Sequence, residues 1–502
     1  MAFRSSLVVL LAVVTACSGP AAPDSPRADA PPVVASPIPT PSTAATDAVP
    51  PATAETTQPP AKEPATPETP LVIATHLTLP RLDLTSARAR ALLDRGIEDR
   101  LSLGLGVRAA SIVAAPGVEA PPGARSVGSA AAVLRAVRQD RRTIGLLPAD
   151  AVDPTVRAAT VDGLDPMRSP DDYPLTTAGN PPQAVVTISV GGDVMMDRRV
   201  GSRLAQTGDF AEPFRAMADR LSQADITMVN LESTLAELGP PTQGIESFVA
   251  DPRIRSGLRR AGVDVVSLAN NHSGDYGPQS LLRTIELLAA GGFAVFGAGA
   301  DRQRADQPAV LVRDGVTVAF VGFNAIGETP PAGPGQPGAS SLSMPPRTGP
   351  LDERRLDRIT RQIERLASRV DVVVAVPHWG TQYTAVPEPE QSQVGRALLA
   401  AGADIVVGGH PHWVQAVERS RDGRLVVHSL GNLVFDMDFS TETMQGVVAE
   451  LVVFDDRVVA VDYSPYVIGT DWVPRWVSPS GRGQEILQRM WEAGTQHFAS
   501  LP

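Results

Sequence analysis

The residues of this chain best suited to chemistry are oxygen and imidazole donors placed just after apolar runs. Asp193 follows one such run, Asn230 and Glu232 the next, and Asn270, Asn271 and His272 a third. His378 comes after a fourth, and His410 and His412 after a fifth, so four of the seven histidines stand at such ends. Carboxylate, amide and imidazole together make a hard-to-borderline donor set. It suits a divalent ion such as Mn, Fe or Zn and not soft copper or an iron–sulfur cluster. If the site is catalytic, a cation held this way would polarise the oxygen of a phosphoryl or carbonyl group; a cation that only binds an anionic ligand is the alternative. Within His410-Pro411-His412 an extended backbone would put both imidazoles on one face, within reach of one cavity. Each residue has an ordinary use when taken alone: Asn270-Asn271 as a turn, Asp193 after Gly191-Gly192 as a helix cap, His378 as a satisfied core residue. Their recurrence on successive strand ends is what points to one site, because ligands of open α/β sheets sit outside the carboxyl ends of the strands.

The elements that must carry these residues alternate. Strand-like runs at 185–190, 226–229, 263–268, 372–376 and 405–407 are separated by helical stretches at 214–222, 254–261, 278–290, 351–368 and 393–401, the order of a sheet layered with helices. Three later strands, 425–428, 446–453 and 458–467, lack helices between them and predict a second, partly antiparallel sheet. A helix over 485–498 closes the chain, within a C-terminal helical extension at 471–502. Ahead of all this, residues 71–183 read as a small α/β unit with a helix at 86–101 and an apolar run at 143–147. Its stretch from Arg138 to Pro148, followed by Val161 to Pro166, looks like a fragment of a phosphate-type solute-binding domain.

Composition bounds the partners. A net charge of -11 argues against nucleic acid, whose phosphates call for a basic face. The opening residues carry Arg4, an apolar run from Leu7 to Val14, and Val14-Thr15-Ala16-Cys17. They read as a lipoprotein signal over residues 1–17 with lipidation at Cys17, the sole cysteine. Residues 18–70, rich in Pro, Ala, Thr and Ser, predict a disordered stalk, so the expectation is an extracytoplasmic protein attached to the membrane by lipid alone.

The ordered motifs of the second half resemble the calcineurin-like metallophosphoesterases in their CapA branch, the poly-gamma-glutamate synthesis proteins. They are Gly192-Asp193-Val194-Met195-Met196, Asn230-Leu231-Glu232, Asn270 to Gly277, Pro377-His378-Trp379-Gly380, Gly402 to His412 and Ser429-Leu430-Gly431-Asn432. The resemblance implies a four-layer α/β/β/α sandwich over 184–470. It implies that Asp193 binds one ion with His412, that Glu232 bridges, and that Asn271, His378 and His410 complete a second. His272 would be the acid or the imidazole that touches substrate. Arg198, Trp379 and Asn432 are candidates to contact substrate, and Arg199 and Trp413 stand beside candidate groups. The partners implied are an anionic polymer such as poly-gamma-glutamate, or a phosphoester, and the machinery that makes or exports the polymer. Where the superfamily carries a histidine two residues after the first aspartate, this chain has Met195, and a thioether is a poor ligand for a hard cation.

Overall fold

The computed structural model describes residues 67–97 and 101–493. The expected signal, Cys17 and residues 18–66 of the expected stalk lie outside the described residues. The first strand, Glu68–His76, already includes the last three residues read as stalk, because Glu68, Thr69 and Pro70 pair with Ala178, Thr177 and Thr176.

Two large sheets carry the site, and the fold is mixed α/β. In the first, the parallel strands Ala294–Phe296, Val265–Ser267, Ile226–Leu231 and Val185–Val194 are followed by the antiparallel Gln445–Phe454, Arg457–Ile468 and Pro474–Trp476. In the second, Ala309–Arg313 pairs with Val316–Asn324, which is followed by the parallel Val372–His378, Ile405–Val407 and Leu425–Val427, with Val417–Arg419 at the edge. Period-two alternation sorts their side chains. Val186, Ile188 and Val190 of the first sheet share one buried core with Val318, Phe320, Val372, Val374, Ile405 and Val427 of the second. Residues one step out of phase face the other way. Val229, Val266 and Val448 pack with Leu281 and Leu288 of the helix Gly277–Ala290, whereas Val321, Val373 and Val406 pack with residues of helices Glu353–Ala367 and Pro389–Ala400. The two sheets therefore bury a common core and carry helices on their other faces.

Sheet membership corrects one expectation. The late strands Gln445–Phe454 and Arg457–Ile468 do not begin a second sheet. They form a hairpin that extends the first, with Val185 opposite Phe454 and Val190 opposite Ala449. Every residue of Gln445–Phe454 is buried, as a strand interior to a sheet with both faces covered requires. The second sheet gains Val316–Asn324, which lies between the edge strand Ala309–Arg313 and Val372–His378. The C-terminal extension likewise contributes a strand before its helix, Arg482–Glu492, which buries Ile486, Leu487, Met490 and Trp491 in the shared core.

Residues 68–178 build a smaller sheet around Glu68–His76 and Thr143–Pro148, with helices Ser86–Arg95 and Ala130–Gln139. The helix expected to run to residue 101 ends at Arg95, where Gly96 takes a φ of 79°. This core includes Val452, Phe454 and Val459 of the large sheet, so the small sheet is packed onto the hairpin.

Candidate functional site

The sequence places its donors at the carboxyl ends of strands, and parallel register brings those ends together. Asp193 lies opposite Asn230 on one side and Asn432 on the other, and Asn324 of the second sheet lies opposite His378. The strands can close around Asp193 because of glycine: a Cβ on Gly192 would stand 1.9 Å from the carbonyl oxygen of Gly431.

Two buried ligand sets result. Glu232, His378 and His410 form one and Asp193, Glu232 and His412 the other, with the donor atoms of each set within 4.8 Å of one another. Glu232 belongs to both. Its Oε1 lies 3.8 Å from His378 Nε2 and 3.9 Å from His412 Nε2, and it makes no hydrogen bond among the described residues. Both ring nitrogens of His410 are equally without a partner there, although His410 is 1% exposed. Buried polar atoms are nearly always hydrogen-bonded, so an orphaned carboxylate oxygen beside an imidazole with no partner of its own fits a cation held between them.

Neighbouring groups fix these side chains. Asn230 Nδ2 donates to Asp193 Oδ1 at 2.8 Å, while Asn270 Nδ2 donates to Asn230 Oδ1 at 2.9 Å. The backbone N–H of His410 donates to Asp193 Oδ2 at 3.1 Å. Asn271 Oδ1 sits 2.9 Å from His378 Nε2, and its amide nitrogen donates to Glu328 at 2.7 Å, so it stands beside the second set as an additional oxygen donor. His272 Nδ1 is 2.8 Å from Asp275 Oδ2 and its ring stacks on Phe248, which turns Nε2 to within 4.0 Å of Glu232. A carboxylate on one ring nitrogen orients the other, the usual arrangement for an imidazole that moves a proton.

Burial sets the protonation states. Desolvation pushes Asp193 up to about 6, against the pull of Asn230's hydrogen bond. Burial and then the charge of Asp193 hold Glu232 well above the carboxylate range. Burial also keeps His378 and His410 well below the imidazole range, and His412 at about 3. Two carboxylates that need a positive neighbour face three neutral imidazoles with lone pairs to give, the state in which histidine binds metal.

His410 and His412 reach this arrangement differently from the extended geometry expected. Their φ angles are 96° and 57°, so Pro411 stands in a turn, the ring centroids are 5.7 Å apart, and each ring serves a different set. Non-glycine residues at positive φ cost roughly 1–3 kcal/mol each and cluster at functional sites. Here the turn is what points two neighbouring imidazoles at two positions.

Two expected substrate contacts are corrected. Trp379 is fully buried and packs with Val394 and Leu398, its indole N–H donating to the carbonyl of His428 at 3.0 Å. It follows His378 directly, so a side chain one residue on points away from the site. Asn432 is also fully buried. Its Oδ1 is 2.9 Å from His412 Nδ1 and its amide nitrogen donates to Thr443, so it orients a histidine and has no face to offer a substrate. Arg198 does flank the site. It pairs with Asp436, lies 3.4 Å from Glu246, and places its guanidinium 4.8 Å from the Phe248 ring centroid. Arg199 pairs with Asp436 and Asp438 instead, over Trp472. Met195 is buried with Phe248, Phe435 and Met437, and its sulfur accepts the N–H of Asp197, so it packs a wall of the site in an apolar cluster.

Further residues belong to the site without having been singled out. Glu328 steadies Asn271, Asp436 anchors Arg198, and Tyr383, at φ 62°, stacks 6.0 Å from His412 and meets Phe439 edge-on at 5.1 Å. Asp275, within a quoted motif, offers the one signal a sequence carries here: a carboxylate three residues after His272.

Comparison with known proteins gives the family. Residues 187–437 match the family model described as bacterial capsule synthesis protein PGA_cap. The chain is 31% identical over 286 residues to the capsule biosynthesis protein CapA of Bacillus anthracis, covering 56% of this chain and 67% of that protein. It is 30% identical over 271 residues to the PGA biosynthesis protein CapA of Bacillus subtilis, covering 51% and 65%. The chain thus spans about two thirds of the length of these relatives. Among solved structures, the NAD nucleotidase of Haemophilus influenzae is 11% identical with a TM-score of 0.35, covering 64% of each chain. A hypothetical protein from Thermus thermophilus is 18% identical with a TM-score of 0.34, covering 56% of this chain and 99% of that one. Overlaps of this size carry no argument about chemistry. The match over half the chain and the identity to CapA do settle kinship: this chain belongs to the bacterial capsule synthesis protein family, PGA_cap.

Proposed function

We propose that this protein acts in the synthesis, export or anchoring of an anionic envelope polymer of the poly-gamma-glutamate kind. Its site would be a two-cation centre of hydrolytic type in which Glu232 bridges. The observation that carries the reading is the convergence of Glu232 Oε1 with one ring nitrogen of His410, both buried and without a hydrogen bond among the described residues. Asp193, Glu232 and His412 would hold one ion, and Glu232, His378, His410 and Asn271 the other, with Mn, Fe or Zn as the class of metal. Three or four protein donors per ion leave positions open for a substrate. Bound there, a divalent ion supplies polarisation of a phosphoryl or carbonyl oxygen.

The chain's own residues would do the rest. His272, oriented by Asp275, presents Nε2 toward the cluster and would pass a proton to the leaving group. Arg198, on the wall formed with Phe248 and Phe435, would meet a negative charge of the substrate. The names of the two CapA relatives place them in capsule or PGA biosynthesis, and the acidic composition here requires the cations and Arg198 to offset repulsion from a polyanion. A lipid anchor at Cys17 would hold the protein to the outer membrane–water boundary where such a polymer emerges.

Met195 favours a second reading, in which the site captures carboxylates without turnover, because a soft atom turned into an apolar cluster leaves the Asp193 set at three donors. Incubation of Mn-loaded protein with poly-gamma-glutamate and with phosphodiesters separates the two. Turnover lost by at least a hundredfold in Asp193→Ala, His410→Ala and His272→Ala supports hydrolysis. Saturable binding with no product in the wild type supports capture.

A further inference from the structure

Away from this site, the outward face of the first sheet carries a polar row where its neighbours are apolar. Ser189 stands opposite Glu450, and Glu450 opposite Asp462, on three adjacent strands. Facing them, Arg81, Arg157 and Arg168 come from the N-terminal unit, and Arg220 and Gln223 from the segment before strand Ile226–Leu231. With Thr187 and Ser464 these residues enclose a cavity of about 570 Å³.

The charges in this cavity do not balance. Four guanidinium groups meet three carboxylates, Asp165, Glu450 and Asp462, which leaves one positive charge in surplus on a chain of net charge -11. Geometry locates the surplus. Arg81 bonds both Asp165 and Asp462, Arg157 bonds Asp462 and the carbonyl of Leu77, and Arg220 forks onto Glu450 at 2.9 and 2.7 Å. Arg168 approaches Asp165, Glu450 and Asp462 only to 3.7, 3.6 and 3.8 Å, beyond hydrogen-bond reach. Its guanidinium is thus held by three ion pairs and by no hydrogen bond among the described residues. Ser189, 3% exposed, and the exposed Gln223 line the same cavity. A planar fork that makes no hydrogen bond of its own, a hydroxyl and an amide facing one cavity are the donors that a carboxylate or phosphate takes up.

We propose that this cleft is a binding site for an anion of the carboxylate or phosphate class, held by Arg168 with Ser189 and Gln223. It is separate from the site built on Glu232, since Ser189 precedes Asp193 by four residues of one strand, or roughly 13 Å at the usual rise. It stands whether or not that site is hydrolytic. The cavity exceeds a lone phosphate in size and lies in the range that takes larger ligands, so the anionic group would be one end or one repeat of something longer.

Calorimetric titration of the full protein at low salt tests this, with inorganic phosphate in one arm and a short glutamate oligomer in the other, so that the source of the anion is distinguished. Saturable binding of either is expected, weakened about tenfold or more in Arg168→Gln, the effect of losing a charged hydrogen-bond partner. The unfolding midpoint of ligand-free Arg168→Gln should fall only slightly, since Arg168, a third exposed, holds its three carboxylates at 3.6–3.8 Å and by no hydrogen bond. Glu450→Gln removes a competing carboxylate and should tighten binding, a change that a merely structural ion network would not produce. The proposal is overturned if neither probe saturates, or if Arg168→Gln binds as wild type and Glu450→Gln gives no gain.

Discussion

At the scale of single residues, Asp193 shows how the site is poised. Its carboxyl is pushed up to about 6 from an ordinary 3.8 by burial, so the native state holds the proton more tightly than the unfolded chain does. The sign follows from linkage: this contribution is fully present below pH 3.8 and is lost as pH rises through about 6, which costs the metal-free fold about 3 kcal/mol at neutrality. In chelator, Asp193→Asn should therefore match wild type near pH 4 and exceed its stability increasingly up to pH 7, as urea unfolding at each pH would measure. A pH-independent difference would show that ionisation of Asp193 is not what strains the apo site. His412 acts in the opposite sense, since its value of about 3 withdraws stability as pH falls below 6.5, while Asp193→Asn also removes the charge that helps to hold Glu232 up. The identity of the donors was legible in the sequence because few residue types bind hard cations. The roles of Trp379 and Asn432 were not, since neither adjacency to a ligand nor motif membership says which way a side chain faces.

Among the elements, strand ends explain why the site exists and turns explain its detail. A reading led by ligand-type residues finds Val185–Val194, Ile226–Leu231, Val372–His378 and Ile405–Val407, whose last residues lead directly into donors. It passes over Val316–Asn324, a nine-residue strand next to the edge of the second sheet, because its terminal Asn324 donates to the carbonyl of Gly327 and not to the cluster. It also passes over helix Arg198–Thr207, whose mostly polar sequence buries only Val200 and Leu204. The turn at His410-Pro411-His412 was hidden for another reason: positive φ at histidine is imposed by tertiary contacts, and period-two reasoning assumes it away. Gly409, just before that turn, provides a test. A Cβ there would lie 2.7 Å from Asp193 Oδ1, so Gly409→Ala should displace the carboxylate and cut the affinity for added Mn by about ten- to a hundredfold while the far-UV spectrum stays unchanged. Unaltered Mn affinity would mean that the close approach of turn and carboxylate is not needed.

For the molecule as a whole, the small N-terminal sheet is bound into the fold by both apolar and ionic contacts. Val452, Phe454 and Val459 complete its core, and Asp462, 9% exposed, accepts from Arg81 and Arg157. Those arginines hold Asp462 down at about 2 in spite of its burial. Asp462→Ala would leave the buried Arg157 without its carboxylate and should destabilise the protein by about 3–5 kcal/mol in chemical unfolding, whereas a loss under 1 kcal/mol would mean that the network is not a structural tie. Composition gave no hint of this fusion, because the contacts join residues about 300 or more positions apart. The central claim, that one carboxylate serves two cation positions, is tested most directly by metal content. Elemental analysis of protein reconstituted with Mn should find two ions per chain in wild type, one in His410→Ala and one in His412→Ala. In Glu232→Gln both should be weakened enough to be lost on dialysis; a Glu232→Gln protein that keeps the wild-type ion content would contradict the account.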